Sequence, residues 1–266
     1  MRKFTKDIKT VVIKVGSSSI THEDGSINLS KIDDLCFELA NLKNNGINVI
    51  LVSSGAIAAG RKKLKLTERP KDTATKQAAA AVGQVALINI YDRSLNHYGY
   101  SPAQILLTKH IEKDLNMNEN TKNTLSTLAA MDVIPIVNEN DTISTFEIKF
   151  GDNDTLSAII AKLCKADLLI MLSDIDGLYT DDPRKNKDAK IISLVENIKD
   201  VEDFAKETES NVGVGGMTTK INAAKMALEK GTEVVIANAK DFNIIRKIME
   251  GDEVGTFFKR WSARNR

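Results

Sequence analysis

Apolar positions follow two periods along the chain, and the places where the period changes mark out its elements. Residues 10–15 (TVVIKV) form a short β-branched run ended by Gly16, and after a polar loop Ile32, Leu35, Cys36, Leu39 and Leu42 recur at helical spacing. Strand then helix is the opening unit. The alternation repeats, with strands predicted over 47–52 (INVILV), 103–108 (AQILLT), 133–138 (VIPIVN), 166–172 (ADLLIML) and 233–237 (EVVIA), the last of them read as the final long-range strand. Helices are predicted over 55–65, 73–96, 121–131, 155–165 and 217–230; the second is rich in alanine and contains Gly83. Pro135 places its strand at an edge or an irregularity, because proline cannot donate to a ladder.

Strands that are apolar throughout and separated by helices imply an α/β protein with a mainly parallel sheet covered on both faces. No Pro/Ser/Gly-rich linker, low-complexity run or fixed-period repeat divides the chain, so a single domain over residues 1–266 is expected. Two lobes sharing one sheet are compatible with the same pattern.

Composition narrows the partners. An apolar fraction of 42% is ample for a buried core, and 37 Lys and Arg against 36 Asp and Glu leave no long-range field favouring nucleic acid or an acidic membrane. Small-molecule partners are expected. Cys36 and Cys164 lie far apart in apolar-periodic segments, which gives neither a disulfide framework nor a metal pattern and reads as two core thiols in a reducing compartment. No apolar run precedes a small-residue cleavage site and none reaches the ~18 residues of a membrane span, so the expected location is the cytoplasm.

In open parallel sheets ligands gather at the carboxyl ends of the strands, so the loops there are read together. In IKVGSSS, Lys14 stands inside an apolar strand and must either find an anion near the strand end or face water from an edge. VSSGAIAAGRK runs from a strand into a small-residue helix, which suits either an anion seat on free N–H groups or a tight packing turn; Arg61-Lys62 after Gly60 excludes a Walker A loop. NVGVGGMTTK places glycines before a helix that carries Lys220 in its first turn, an arrangement fit for a polyphosphate, although Thr218 at the sixth position breaks the dinucleotide fingerprint. In LSDIDGLYTDDPR, Ser173 and Asp174 end the most apolar strand, where Asp174 could hold a lysine or a metal.

The segment NENDTISTFEIKFGDND, residues 138–154, crowds amides and carboxylates around an apolar centre. Its contiguous Asp152-Asn153-Asp154 fails the alternation of a calcium loop, which leaves an acid/base pair, a hand for an ammonium group or a solvated loop. The apolar centre, residues 143–150, is assigned to a strand or hairpin joining the two polar ends. His22, His97 and His110 lie outside all these loops and no GxSxG surrounds a serine, so a hydrolase triad is not supported.

Taken in order, IKVGSSS, VSSGAIAAGR, KQAAAAVGQ, PIVNENDTIST, KFGDNDTLSA, LLIMLSDIDGLYTDDPR and GVGGMTTK closely resemble the amino-acid kinase family, over nearly the whole chain from about residue 10 to residue 258. NEND followed by GDND is specific to the branch that acts on glutamate. The resemblance implies a three-layer α/β/α sandwich around a mainly parallel eight-stranded sheet, with ATP over the C-terminal lobe and amino acid over the N-terminal lobe. It implies ATP-dependent phosphorylation of the γ-carboxylate of L-glutamate with Mg²⁺, as the first step of proline biosynthesis. It assigns Lys14 to the ATP phosphates, Ser54, Asp141 and Asn153 to glutamate, and Ser173 and Asp174 to the side of the nucleotide. The run Val214, Gly215, Gly216, Met217, Thr218, Thr219 and Lys220 would wrap the phosphates. Asp152 and Asp154 receive no equally clear role, and no direct metal ligand is legible. Proline as feedback inhibitor and a homo-oligomer, dimer or tetramer, are further expectations. Many bacterial relatives continue into a C-terminal PUA domain, whereas this chain stops at KRWSARNR, so no such domain is expected.

On that reading the attacking carboxylate, with an ordinary pKa of about 4.3, is already ionised and needs no general base. Lys14 and Lys220 are the expected transition-state stabilisers, oriented by ion pairing to Asp174. The alternatives are another kinase of the same fold, acting on aspartate, acetylglutamate, carbamate or UMP, and a non-catalytic nucleotide-binding regulator.

Overall fold

The structure, a computed structural model, describes residues 1–143, 153–181, 186–201 and 216–260. In chain order the described elements are β1 (Thr10–Val15), α1 (Ser17–Ile20), α2 (Leu29–Asn44), β2 (Asn48–Val52), α3 (Ala56–Lys63), α4 (Thr73–His97), β3 (Pro102–Leu107), a 3-10 turn (Lys109–Glu112), α5 (Leu115–Ala130) and β4 (Ile134–Glu139). They continue with α6 (Asp154–Leu163), β5 (Leu168–Ser173), β6 (Leu194–Val195), α7 (Met217–Leu228), β7 (Glu233–Asn238), α8 (Ile244–Met249) and β8 (Thr256–Phe258). The hairpin expected at the centre of the 138–154 segment falls largely on residues 144–150, outside the described residues.

The strands form one sheet in the order β3-β4-β2-β1-β5-β7-β8-β6, parallel except where β8 runs against β7. Here β1 is central: Lys14 registers with Val52 of β2 on one side and Met171 of β5 on the other. Strands β2 to β4 spread to one side of it and β5 to β8 to the other, so the winding reverses between β1 and β5. In such sheets the crevice at the carboxyl end of that junction is where ligands bind.

Period-2 alternation sorts the strand side chains onto two cores. Val11, Ile13 and Val15 face the layer of α2, α4 and α8, while Val12 faces the layer of α5, α6 and α7. Lys14 has the parity of Val12 and therefore points toward α6 and α7. The edge-strand reading of this lysine is thereby excluded.

Two sequence expectations are corrected. The strand at 233–237 is not the last, because β8 follows it; with three residues, β8 is too short to give a periodic signal. Pro135 is not on an edge strand, since β4 lies between β3 and β2. The N–H of Ile134 bonds Ser101 O on the β3 side, so residue 135 faces β2, and the β2 ladder begins only at Ile136. The missing donor of proline falls just outside the ladder.

Helices α3 and α4 approach so closely that a Cβ on Gly60 would sit 1.7 Å from Ala79 O, and one on Gly83 would sit 1.7 Å from Ala56 O. The glycine at each position is a packing requirement. For Gly60 this decides in favour of the packing-turn reading of GAIAAGRK, and it gives the Gly83 that interrupts an alanine-rich helix a physical reason.

Candidate active site

The carboxyl ends of β1, β2, β4, β5 and β7 line one edge of the sheet, and the described helices divide by how they begin. α2, α4 and α5 are capped by side chains, Asn28 on Lys31 N, Asp72 on Thr75 N and Asp114 on Met117 N. α1, α3, α6 and α7 begin at Gly16, Gly55, Asn153 and Gly216 with no side-chain cap. Their first N–H groups are thus left to face the edge, the arrangement by which helix N-termini receive anions.

Asp154 opens α6 and is fully buried. A carboxylate at a helix N-terminus is favoured by the dipole, but burial is tolerated only with paired charges. Lys14 Nζ lies 2.6 Å from Asp154 Oδ1 and Lys220 Nζ 3.0 Å from Oδ2. Thr219 Oγ1 lies 3.1 Å from the same Oδ2 and 2.9 Å from Gly216 O, two acceptors that share its single proton. One carboxylate therefore aligns two buried lysines that are 206 positions apart in sequence, Lys14 from β1 and Lys220 from the first turn of α7.

This overturns the ion-pairing role given to Asp174. That residue is exposed at the end of β5, where Ser173 Oγ donates to its Oδ1 at 3.0 Å, and the lysines meet Asp154 instead. A signal for Asp154 was present in the sequence: it immediately precedes the predicted helix at 155–165, where the helix dipole favours a carboxylate.

On the other side of β1, Asn153 ties three segments together. Its Nδ2 donates its two protons to Ser53 O at 2.7 Å and Asn138 Oδ1 at 2.8 Å, and lies 3.1 Å from Ser54 Oγ. The amide orientations follow from backbone groups: Ser53 O can only accept, and Asn138 Oδ1 must be oxygen because Glu139 N–H donates to it at 2.9 Å. Asn153 Oδ1 is then left buried without a partner among the described residues, as is Asp141 Oδ1. Burial first, and then repulsion from the buried Glu139, pushes the Asp141 carboxyl up to about 7. Unsatisfied buried acceptors at a sheet edge call for a donor, and an ammonium group supplies three.

Of the sequence-predicted residues, Lys14, Lys220, Thr219 and Gly216 converge around Asp154, and Ser54 and Asn153 meet directly. Met217 and Thr218 occupy the first turn of α7. Val214, Gly215 and Asp152 lie outside the described residues. Residues that sequence reasoning did not single out are Ser53, Asn138 and Tyr91, whose hydroxyl lies 2.9 Å from Ser53 Oγ. Ser53 and Asn138 stand inside the VSSGAIAAGR and NEND segments without an assigned role, whereas Tyr91 sits among apolar neighbours at core periodicity and carries no motif. The three histidines are exposed, and burial pushes both thiols up to about 12, which keeps them inert as expected of core cysteines. No group of three or more His, Cys, Asp or Glu able to hold a metal ion occurs among the described residues, and no described helix is long and apolar enough to cross a membrane.

Comparison with known proteins bears on this geometry. Residues 9–238 match the model of the amino acid kinase family. The chain is 50% identical to the glutamate 5-kinase of Clostridium tetani over 258 residues, 97% of each protein. It is 46% identical to that of Clostridium perfringens, covering 97% of this chain and 98% of the relative. It is also 49% identical to that of Carboxydothermus hydrogenoformans, with 98% of this chain matching 72% of a longer protein. Among solved structures it resembles carbamate kinase from Giardia lamblia bound to AMP-PNP (TM-score 0.67, 15% identity, 94% of this chain and 98% of that one). It likewise resembles UMP kinase from Bacillus anthracis (TM-score 0.63, 17% identity, 97% and 98%). At such identities the structural likeness speaks for the fold alone.

Proposed function

The chain belongs to the amino acid kinase family, among its glutamate 5-kinases, and we propose that its sheet-edge site transfers the γ-phosphoryl group of ATP to the γ-carboxylate of L-glutamate. The products are L-glutamate 5-phosphate and ADP, and the reaction opens proline biosynthesis. The observation that carries this reading is the buried Asp154 holding Lys14 and Lys220 together at the β1/β5 switch point.

The acceptor carboxylate is ionised near neutrality, so no base has to be found for it. What must be supplied is alignment of two anions and neutralisation of the charge spread over the transferring group. Lys14 and Lys220 approach from two different elements and are held in direction by one carboxylate, so their ammonium groups are set before substrate arrives. Preorganised charge of this kind stabilises a transition state without reorganisation cost. The uncapped N-termini of α1 and α7, with Gly216, Met217, Thr218 and Thr219, offer N–H groups to the other phosphate oxygens, and Val214 and Gly215 extend that loop in the sequence reading. Ser173 and Asp174 stand beside the nucleotide.

Glutamate would lie over the half formed by β1 to β4, with Ser54, Asn153 and Asp141 around its amino-acid end and the γ-carboxylate turned toward Lys14. Burial supports this orientation, because the unsatisfied acceptors of Asn153 and Asp141 suit an ammonium and would repel a phosphate. A Mg²⁺ ion carried on the phosphates fits the donors present: the exposed Asp174 carboxylate can serve as one ligand of a hard cation that takes the rest from phosphates and water. When bound, such an ion offsets phosphate charge. In the same reading the enzyme is a cytoplasmic homo-oligomer, dimer or tetramer, formed from single-domain chains and inhibited by proline.

Mixing the purified chain with ATP, Mg²⁺, L-glutamate and hydroxylamine tests the reaction. Trapped glutamyl hydroxamate is the expected product; its absence, with ADP released from aspartate, carbamate or acetylglutamate instead, would move the chain to another kinase of the fold.

A further inference from the structure

Beneath the glutamate half, on the opposite face of the sheet from Lys14, lies a small cavity. Gln84, Leu87, Ile88 and Tyr91 reach it from one face of α4, and Ile136 and Asn138 from alternate positions of β4. About 10 Å³ is open to the centre of a water molecule, room for roughly one. Five polar side chains converge there, those of Ser53, Gln84, Tyr91, Gln104 and Asn138. Among the described residues, buried Asn138 Nδ2 has no hydrogen-bond partner, and the same holds for Gln84 Nε2, whose Oε1 accepts from Gln104 Nε2 at 3.4 Å. Ser53 Oγ and Tyr91 OH bond each other at 2.9 Å.

Both unpartnered groups are amide donors on side chains at least nine-tenths buried. Leaving either unsatisfied would cost more than an average hydrogen bond contributes. Neither can satisfy the other, because two N–H groups need a common acceptor. A water molecule has two lone pairs for the amides and two protons for the Tyr91 and Ser53 oxygens, and needs two to four such partners to be held.

We propose that this cavity holds one ordered water bonded by Gln84 and Asn138, and that Gln84 is through it a positioning residue for the glutamate site. The chain of contact is short. The water fixes the Nδ2 end of Asn138, whose Oδ1 receives Asn153 Nδ2 at 2.8 Å, and Asn153 in turn meets Ser54 Oγ. An amide held at one end only can rotate; held at both, it presents Asn153 Oδ1 in a fixed direction. Gln84 belongs to α4, which the Gly60/Gly83 contact locks against α3, so the anchor is rigid.

The second half of the proposal rests on the glutamate kinase reading, and the test separates the two. A crystal structure of the unliganded chain at about 1.5 Å resolution should show a water within hydrogen-bond distance of both Gln84 Nε2 and Asn138 Nδ2; a dry cavity, or amides turned to protein acceptors, overturns the proposal whatever the substrate. Wild-type hydroxamate formation then tests the reaction by itself. With it established, Gln84→Met, which keeps volume and removes the donor, should raise the KM for glutamate roughly 3–10-fold, the range one neutral hydrogen bond allows, with kcat and the KM for ATP within about twofold. Tyr91→Phe, which deletes one hydroxyl, should shift the same KM in the same direction and serves if Gln84→Met does not fold. A loss of thermal stability in both variants with an unchanged glutamate KM would reduce Gln84 to a packing role.

Discussion

Asp154 places two demands on one carboxylate: it opens a buried helix, and it aligns two lysines delivered by distant parts of the chain. Asp154→Asn keeps the shape and removes the charge, so turnover should fall on the order of 10²-fold or more, because both lysines lose their common direction. Stability should also drop by about 3 kcal/mol, the scale of breaking a buried ion pair, read as a lower midpoint in urea. Unchanged turnover in the folded variant would remove Asp154 from the mechanism. Asp141 makes a pH prediction. Its carboxyl titrates near its ordinary 3.8 in the unfolded chain and near about 7 in the fold. Between those values the native protein keeps a proton that the unfolded chain has lost, so this residue's contribution to stability is greatest below 3.8, declines toward about pH 7 and is level above. The same proton competes with the substrate ammonium. The KM for glutamate should therefore fall several-fold as pH rises through about 7, and Asp141→Asn should abolish that slope while raising KM at all pH values. A wild-type KM that is flat over this range would contradict the assignment.

At the scale of elements, glycines in two similar-looking motifs serve opposite purposes. Gly83→Ala would thrust a methyl group to 1.7 Å from Ala56 O and force α3 from α4, so a loss of roughly 1–3 kcal/mol is expected from thermal unfolding, the usual range for overpacking. Because α3 follows directly on Ser54, glutamate affinity should weaken with it. Gly16 has an extended backbone open to any residue (φ −76°, ψ 159°), and a Cβ there would meet only serine hydroxyls at 3.9 Å. Gly16→Ala should leave the melting temperature within about 1 °C, since a substitution that touches nothing seldom changes stability, yet raise the KM for ATP where the methyl occupies the phosphate approach. A variant with normal ATP affinity would show that no phosphate comes that close. These two glycines were equally visible in the sequence. Only the helix crossing tells which of them the fold itself requires, because that depends on how near another backbone passes.

For the whole molecule, the central position of β1 couples the two sides of the sheet: β2 and β5 flank it, and Lys14 and Lys220 meet Asp154 beside it. Urea unfolding followed by circular dichroism and by tyrosine fluorescence should give coincident single transitions, whereas two separated transitions would show lobes that fold independently. Much of this architecture was legible in advance. Continuous apolar strands between amphipathic helices have few solutions other than a covered parallel sheet, and IKVGSSS and NEND lie at the ends of β1 and β4 while Asp154 and Lys220 stand in the first turns of α6 and α7. The short β6 and β8 were not legible, since two or three residues carry no period. Nor was the interior place of Pro135, which depends on where the β2 ladder happens to begin. The sequence by itself determined the fold class and the loops in which polar and glycine-rich motifs gather, because local periodicity and motif composition are properties of contiguous residues. Tertiary structure alone decided that Asp154 and not Asp174 joins the lysines, and that Gln84 and Tyr91 stand behind Asn138. Those are contacts between residues tens to hundreds of positions apart, fixed by strand order and side-chain parity, which no local window contains.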